Sequence, residues 1–325
     1  MTFARRALLI GALAAPGLAR AQTAPRWAPE RPIRAIVPFA PGGTTDVVAR
    51  IVAETAAAQL GQPVVIENRP GGAAGLIGTD LVAKAAPDGY TILFHSNAHV
   101  IAPALVARMP FDPIGDFAGI AMLGFAPQVL VVSPRNPART LAELVAQLRA
   151  EPGRHHFASA GIGSAVHLAG EVFRAAANLD IQPVHYRGGN PAMQGVMTGE
   201  VVFTVDPLAS AIGHIRGGSV RALAIAGAER SPSLPDVPSS TEAGLPGFVA
   251  EAWVAAMAPA RTPMPVLGAL NAAFNAATRQ SERRLAELGV VLRPGLERPD
   301  ALMAFARQDM ERSIGVLRAA GVRPE

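Results

Sequence analysis

The groups in this sequence whose type and spacing best suit chemistry are backbone amides. The turn Val37-Pro38-Phe39-Ala40-Pro41-Gly42-Gly43-Thr44-Thr45-Asp46 joins an apolar run, Ile33 to Val37, to a helical pattern starting near Val47. A strand that feeds a glycine turn opening a helix leaves several N–H groups unpaired. Together with the positive end of the helix macrodipole, they form an anion site. The turn holds no Lys, Arg, His or Cys, which favours a backbone cradle over side-chain reactivity. An ordinary βα connection uses the same glycines. The spacing is neither a P-loop nor a dinucleotide fingerprint, and no Lys follows the glycines, which argues against nucleotide phosphate.

Ser159-Ala160-Gly161-Ile162-Gly163-Ser164 is a second such turn. The Ser159 and Ser164 hydroxyls, with the amides at the following helix start, suit a carboxylate; Ser164 also reads as an N-cap. Ser164, His167 and Asp206 invite a catalytic-triad reading. However, Ser164 is not in a Gly-x-Ser-x-Gly elbow, and its spacing to His167 is ordinary helix geometry. His95 and His99, and the pair His155-His156, lack an intervening Glu or an evident third ligand, so no metal site is expected. Asp206, before Pro207, could accept from a ligand amine or hydroxyl, or cap the next helix. Arg69 and Arg187 flank glycine turns and either approach an anion or face solvent. Phe39 and Tyr186 read as pocket walls, and Trp253 as core or pocket.

Positioning these turns requires alternating strands and helices. Val64 to Asn68, Thr91 to Phe94, Val129 to Val132, Phe157-Ala158, Ile181 to Tyr186 and Val201 to Val205 read as further strands. Helices are expected through Leu60, through Lys84, over Ala165 to Ala177 and after Asn190. Thr140-Leu141-Ala142-Glu143 is a capping box opening another. Most of the tail from Met264 is helical, with a break at Arg293-Pro294-Gly295, and it is expected to pack back onto the first half. The alternation argues for parallel α/β construction with ligands at the carboxyl ends of strands.

Composition narrows the setting. Arg5 and Arg6, an apolar stretch from Ala7 to Leu18 and Ala19-Arg20-Ala21 read as a secretory signal over residues 1–21. Its loss removes three arginines and no acid, taking the net charge from +4 to +1. The arginines are scattered, which argues against nucleic acid. No cysteine is present, excluding thiol nucleophiles, disulfides and a lipid-anchored Cys. About 300 remaining residues suffice for two cores.

Read together, these stretches resemble the Bug family, the periplasmic solute-binding receptors of tripartite tricarboxylate transporters. The resemblance is carried by residues 32–46 with Pro38-Phe39-Ala40-Pro41-Gly42-Gly43, and by Gly61-Gln62-Pro63-Val64-Val65-Ile66-Glu67-Asn68-Arg69-Pro70-Gly71. Further matching stretches are Lys84-Ala85-Ala86-Pro87-Asp88-Gly89-Tyr90-Thr91, Phe111-Asp112-Pro113-Ile114-Gly115-Asp116-Phe117, His167-Leu168-Ala169-Gly170-Glu171, Val184-His185-Tyr186-Arg187-Gly188-Gly189 and Leu234-Pro235-Asp236-Val237-Pro238.

The resemblance implies an α/β type II periplasmic-binding-protein fold, with two lobes around a ligand cleft and the chain crossing twice between them. Residues 28–126 with 252–325 would form lobe 1, and residues 127–251 lobe 2. A ligand carboxylate would be held by Pro41, Gly42, Gly43, Thr44 and Thr45 and by Ser159, Gly161, Gly163 and Ser164. Asn68, Gly71, Ser96, Gly188, Gly189 and Asp206 would line the remainder. The loop Phe94 to His99 is bulkier than usual for the family and carries imidazoles, so ligand selectivity is expected to rest on His95 to His99 and the opposite wall. The implied protein is a periplasmic monomer without cofactor, passing a small carboxylate to the membrane components of the transporter. A carboxylate sensor acting on a membrane signalling partner, or a secreted Ser/His hydrolase, are the alternatives.

Overall fold

The computed structural model describes residues 27–319 and 321–324; the expected signal segment lies outside them. In β1 (Ile33–Val37) Arg34 is exposed and the other four side chains are buried. It feeds α1 (Thr44–Leu60), whose stripe Val48, Val52 and Ala56 packs onto the sheet. Gly61, at φ 69°, ends that helix with its N–H on the Ala57 carbonyl. Then come β2 (Val64–Asn68), α2 (Leu76–Ala83), β3 (Thr91–Ser96) and the short α3 (Ala98–Ile101).

The long strand β4 (Phe117–Val132) leads into α4 (Leu141–Ala150), β5 (His156–Ser159), α5 (Ala165–Ala176), β6 (Gln182–His185), α6 (Gly189–Thr198), β7 (Phe203–Pro207), α7 (Leu208–Arg216) and β8 (Arg221–Ile225). The chain returns through β9 (Glu251–Pro259) and finishes with α8 (Met264–Gln280), α9 (Glu282–Glu287) and α10 (Pro299–Ala319).

The strands follow the order β2-β1-β3-β9-β4-β7-β5-β6, with β8 also on β4. Parallel pairs (β1 with β2 and β3, β5 with β6 and β7) are joined by antiparallel ones through β4 and β9. The expected parallel construction therefore holds for β1 to β3 and for β5 to β7, whereas β4, β8 and β9 pair antiparallel. β4 belongs to both: Phe117 to Pro127 pairs with β9, and Gln128 to Val132 with β7 and β8.

Separate cores follow from this division. Ile33, Val48, Val52, Phe94, Val254, Leu270 and Phe274 form one between β1, β3, β9, α1 and α8. Leu144, Phe157, Phe173, Phe203 and Phe248 form another beside α4 and α5. Val129, Met193, Val196, Leu208 and Ile212 form a third under α6 and α7. In the tail, Leu302 and Ala306 of α10 pack with Met122, Phe125 and Trp253, and the Trp253 Nε1–H donates to Asp309 Oδ2 at 2.7 Å. Trp253 is core, not pocket.

Candidate functional site

A cavity of about 700 Å³ lies between the two halves, and the carboxyl ends of strands from both meet there. At the end of β1, the turn delivers Gly43 as the N-cap of α1 with extended dihedrals (φ −78°, ψ 166°) and no side-chain cap. The first intrahelical bond is Val47 N–H to the Gly43 carbonyl, so the amides before Val47 have no such partner. Gly43, Thr44 and Thr45 line the cavity, and both threonines are buried. A buried helix start without a cap needs a partner, and an anion supplies one.

Asp46 holds this turn in shape. Its Oδ2 accepts from Gly42 N–H and Arg50 Nε, both at 3.0 Å, and its Oδ1 accepts from Asn68 Nδ2 at 2.9 Å. Asn68 also donates to the Phe39 carbonyl at 3.0 Å. Burial pushes the Asp46 carboxyl up, but Arg50, Gly42 and Asn68 together outweigh it and hold the group below the usual range. Gly42 and Asn68 thus brace the cradle from behind and do not line the cavity.

In the second turn, the Ser159 hydroxyl donates to the Gly161 carbonyl at 2.9 Å, accepts from Gly161 N–H at 3.2 Å and meets His185 Nδ1 at 3.1 Å. Gly163 N–H donates to His167 Nδ1 at 3.1 Å, and the His167 N–H donates to Ser164 Oγ at 3.0 Å. With Nδ1 accepting, the imidazole is neutral and carries its proton on Nε2, 3.7 Å from Glu171. Burial first, then His185 and Arg174, bring His167 down to about 4. Ser159 and Gly163 therefore brace this turn, while Gly161 and Ser164 reach the cavity.

Phe39, Pro41, Gly71, Ser96, Tyr186, Gly188, Gly189 and Asp206 line the cavity as well. The α6 start, with Gly188 as N-cap, also lacks a side-chain cap. Sequence reading missed Ala73 to Gly75, Val166, Asn190 and Ser210, all on the wall. For Ser210 a signal existed, since it lies four residues beyond Asp206 at a helix start. Arg187 is exposed at the rim of the cavity, whereas Arg69 pairs with Glu67 at 3.1 Å and stays off it.

The expected role of His95 and His99 needs correction. Neither lines the cavity. Successive strand residues face opposite sides, so when Ser96 reaches the wall His95 turns inward. His95 packs edge-on to Phe39 (5.1 Å) and His99 (5.1 Å), and His99 to Phe117 (4.7 Å). Burial holds His95 well below its ordinary value and His99 at about 4. They are neutral packing groups behind the wall.

Ser164, His167 and Asp206 form no relay: the imidazole is engaged by Gly163, and Asp206 accepts from Ser210 Oγ. Among the described residues no cluster of His, Cys, Asp or Glu could hold a metal ion, and no helix is long and apolar enough to cross a membrane.

Two α/β lobes around a cleft walled by glycine turns and helix starts define a type II periplasmic-binding-protein fold. Residues 48–321 match the model of the tripartite tricarboxylate transporter family receptor, and the chain belongs to that family. It is 38% identical to Protein BugT of Bordetella pertussis over 99% of both chains. MatC of Rhodopseudomonas palustris with bound malate is 35% identical with a TM-score of 0.83, covering 89% of this chain and 99% of its own. An R. palustris protein with adipate is 31% identical with a TM-score of 0.86, covering 91% and 99%.

Proposed function

We propose that this chain is a periplasmic receptor that closes residues 28–126 with 252–325, as one lobe, and residues 127–251, as the other, around a small carboxylate. It works as a monomer and hands the ligand to the membrane components of a tripartite tricarboxylate transporter. The observation that carries this reading is the α1 start at Gly43 to Thr45, with both threonines buried, uncapped and open to the cavity. The α6 start and the Ser164 turn face the same space. Malate and adipate in two relatives support the ligand class.

The magnitudes are consistent. A hydrogen bond to a charged group contributes about 1.5–3 kcal/mol, and a helix terminus about 0.3–2 kcal/mol. A few such contacts, less desolvation and ordering costs, reach the roughly 8 kcal/mol of micromolar binding. Much of the wall is apolar, including Phe39, Pro70, Ala74, Val166 and Val254, so the carboxylate carries a hydrocarbon body, aliphatic or aromatic.

The test is a thermal-shift series on ligand-stripped protein with malate, adipate and benzoate. A ligand at 100 times its dissociation constant adds about 2.7 kcal/mol, a rise of several degrees. If none of the three raises the melting temperature, the carboxylate-receptor reading fails.

A further inference from the structure

Asp206 is the one carboxylate-bearing residue on the cavity wall among the described residues, in a space whose other features attract anions. It is the penultimate residue of β7 and is buried. The Ser210 hydroxyl donates to Asp206 Oδ2 and also lies 2.9 Å from the Pro207 carbonyl. Thr44 Oγ1, on the opposite side of the cleft, donates to Ser210 Oγ at 3.3 Å. Oδ2 is thus engaged from α7. Oδ1 lies towards Gly189 at the α6 start, where a Cβ would come within 3.8 Å of it.

We propose that Asp206 is a neutral carboxylic acid in the liganded receptor, so that each carboxylate is captured together with one proton. This rests on the carboxylate reading above. A ligand carboxylate and an ionised Asp206 in one closed, low-dielectric cavity would repel each other, and taking up a proton removes that repulsion. The proton comes from solvent, settles on Oδ1, and returns to solvent when the ligand leaves.

No charged partner competes with this assignment. The ionisable side chains on elements packed against β7 are His156 on β5, His167, Glu171 and Arg174 on α5, and His214 and Arg216 on α7; β4 and α6 carry none. His185 ends β6 and Arg187 lies on the β6–α6 connection, with Asp46 and Arg50 on α1 across the cleft. The Asp206 carboxyl is raised to about 7 by burial, with only the Ser210 hydroxyl opposing. Acidification below neutrality thus readies the site, and alkaline conditions oppose capture.

The experiment uses whichever of malate, adipate and benzoate binds the wild-type protein most tightly; all stay ionised from about pH 6.5 to 8.5. Calorimetry in two buffers of different ionisation enthalpy should show proton uptake, approaching one per ligand above pH 7. The dissociation constant should rise towards about tenfold per pH unit above pH 7. Asp206→Asn should abolish this slope, and Ser210→Ala, which removes the opposing hydroxyl, should move its onset to higher pH. A dissociation constant that is flat or falls with pH, or a slope that survives in Asp206→Asn, overturns the proposal while leaving the receptor reading intact. Should Asp206→Asn not fold, an onset unchanged in Ser210→Ala overturns it. If none of the three acids binds, the receptor reading fails and takes this proposal with it.

Discussion

Gly163 and Gly43 both sit in ligand-facing turns, yet their backbones make opposite demands. Gly163 has φ 71°, and a Cβ there would stand 1.6 Å from Leu105 Cδ1. A left-handed residue with a side chain costs about 1–2 kcal/mol before Leu105 is displaced. Gly163→Ala should therefore lower the melting temperature and weaken ligand binding together. Gly43, at φ −78°, would bring a Cβ only within 4.0 Å of the Ala40 carbonyl. Gly43→Ala leaves stability within about 0.5 kcal/mol. His167 acts on the same turn from behind. His167→Ala strands the Gly163 N–H, and an unsatisfied buried donor costs about 1–3 kcal/mol. Denaturant titration should register that loss, and calorimetry a weaker ligand. Unchanged binding in His167→Ala would remove the imidazole as a brace of the Ser159 to Ser164 turn.

At the scale of elements, the α1 start is built to lack a cap, whereas α4 and α5 have theirs. Gly43 already holds the extended dihedrals of an N-cap. Gly43→Asp would place a carboxylate where the ligand's is proposed to sit. It should raise the melting temperature of the empty protein, an acid at a helix start adding about 0.3–1 kcal/mol, and abolish ligand binding. A variant that still binds wild-type ligand would dismiss the α1 start as anchor. Much of this element structure was legible in sequence, because proline and glycine mark each junction: β1 and β2 have the expected bounds, and α5 ends one residue early. The capping box at Thr140 is half as expected. Thr140 Oγ1 accepts from Glu143 N–H at 3.2 Å, but the Glu143 carboxylate takes the Arg139 N–H instead. In β4 only the last four residues were legible, since Gly119, Gly124 and Pro127 interrupt the apolar run that both halves share. The α1 start came three residues earlier than the apolar pattern, since its first turn is polar. The glycine turns of the site could be read locally. The Thr44–Ser210–Asp206 contact could not, because residues 166 apart meet only once β4 and β9 have brought the halves together.

The whole molecule carries buried ionisable groups of opposite tendency, and these set its response to acid. His99 and His167 are held at about 4 by burial, against 6.5 in an open chain; His95 is lowered as well. Each is neutral when folded, and the unfolded chain takes up a proton at its imidazole as pH falls below 6.5. Their contribution to stability is present above pH 6.5 and is lost on the way down to about 4. At about 1.4 kcal/mol per unit, each could cost at most about 3 kcal/mol over that span. Asp206 works in the other direction. Its folded value near 7 lies above the 3.8 of an open chain, so its contribution grows as pH falls from 7 towards 4. With His185 also lowered, four imidazoles outweigh the two carboxyls that burial raises, Asp206 and Glu171. The wild-type protein should therefore lose stability between pH 6.5 and about 4.5, as measured by denaturant titration. Asp206→Asn removes the opposing contribution, and its loss over the same interval should be steeper. A parallel decline in both proteins would mean that Asp206 ionises normally in the fold, and it would remove the basis for proton-linked capture at the same time.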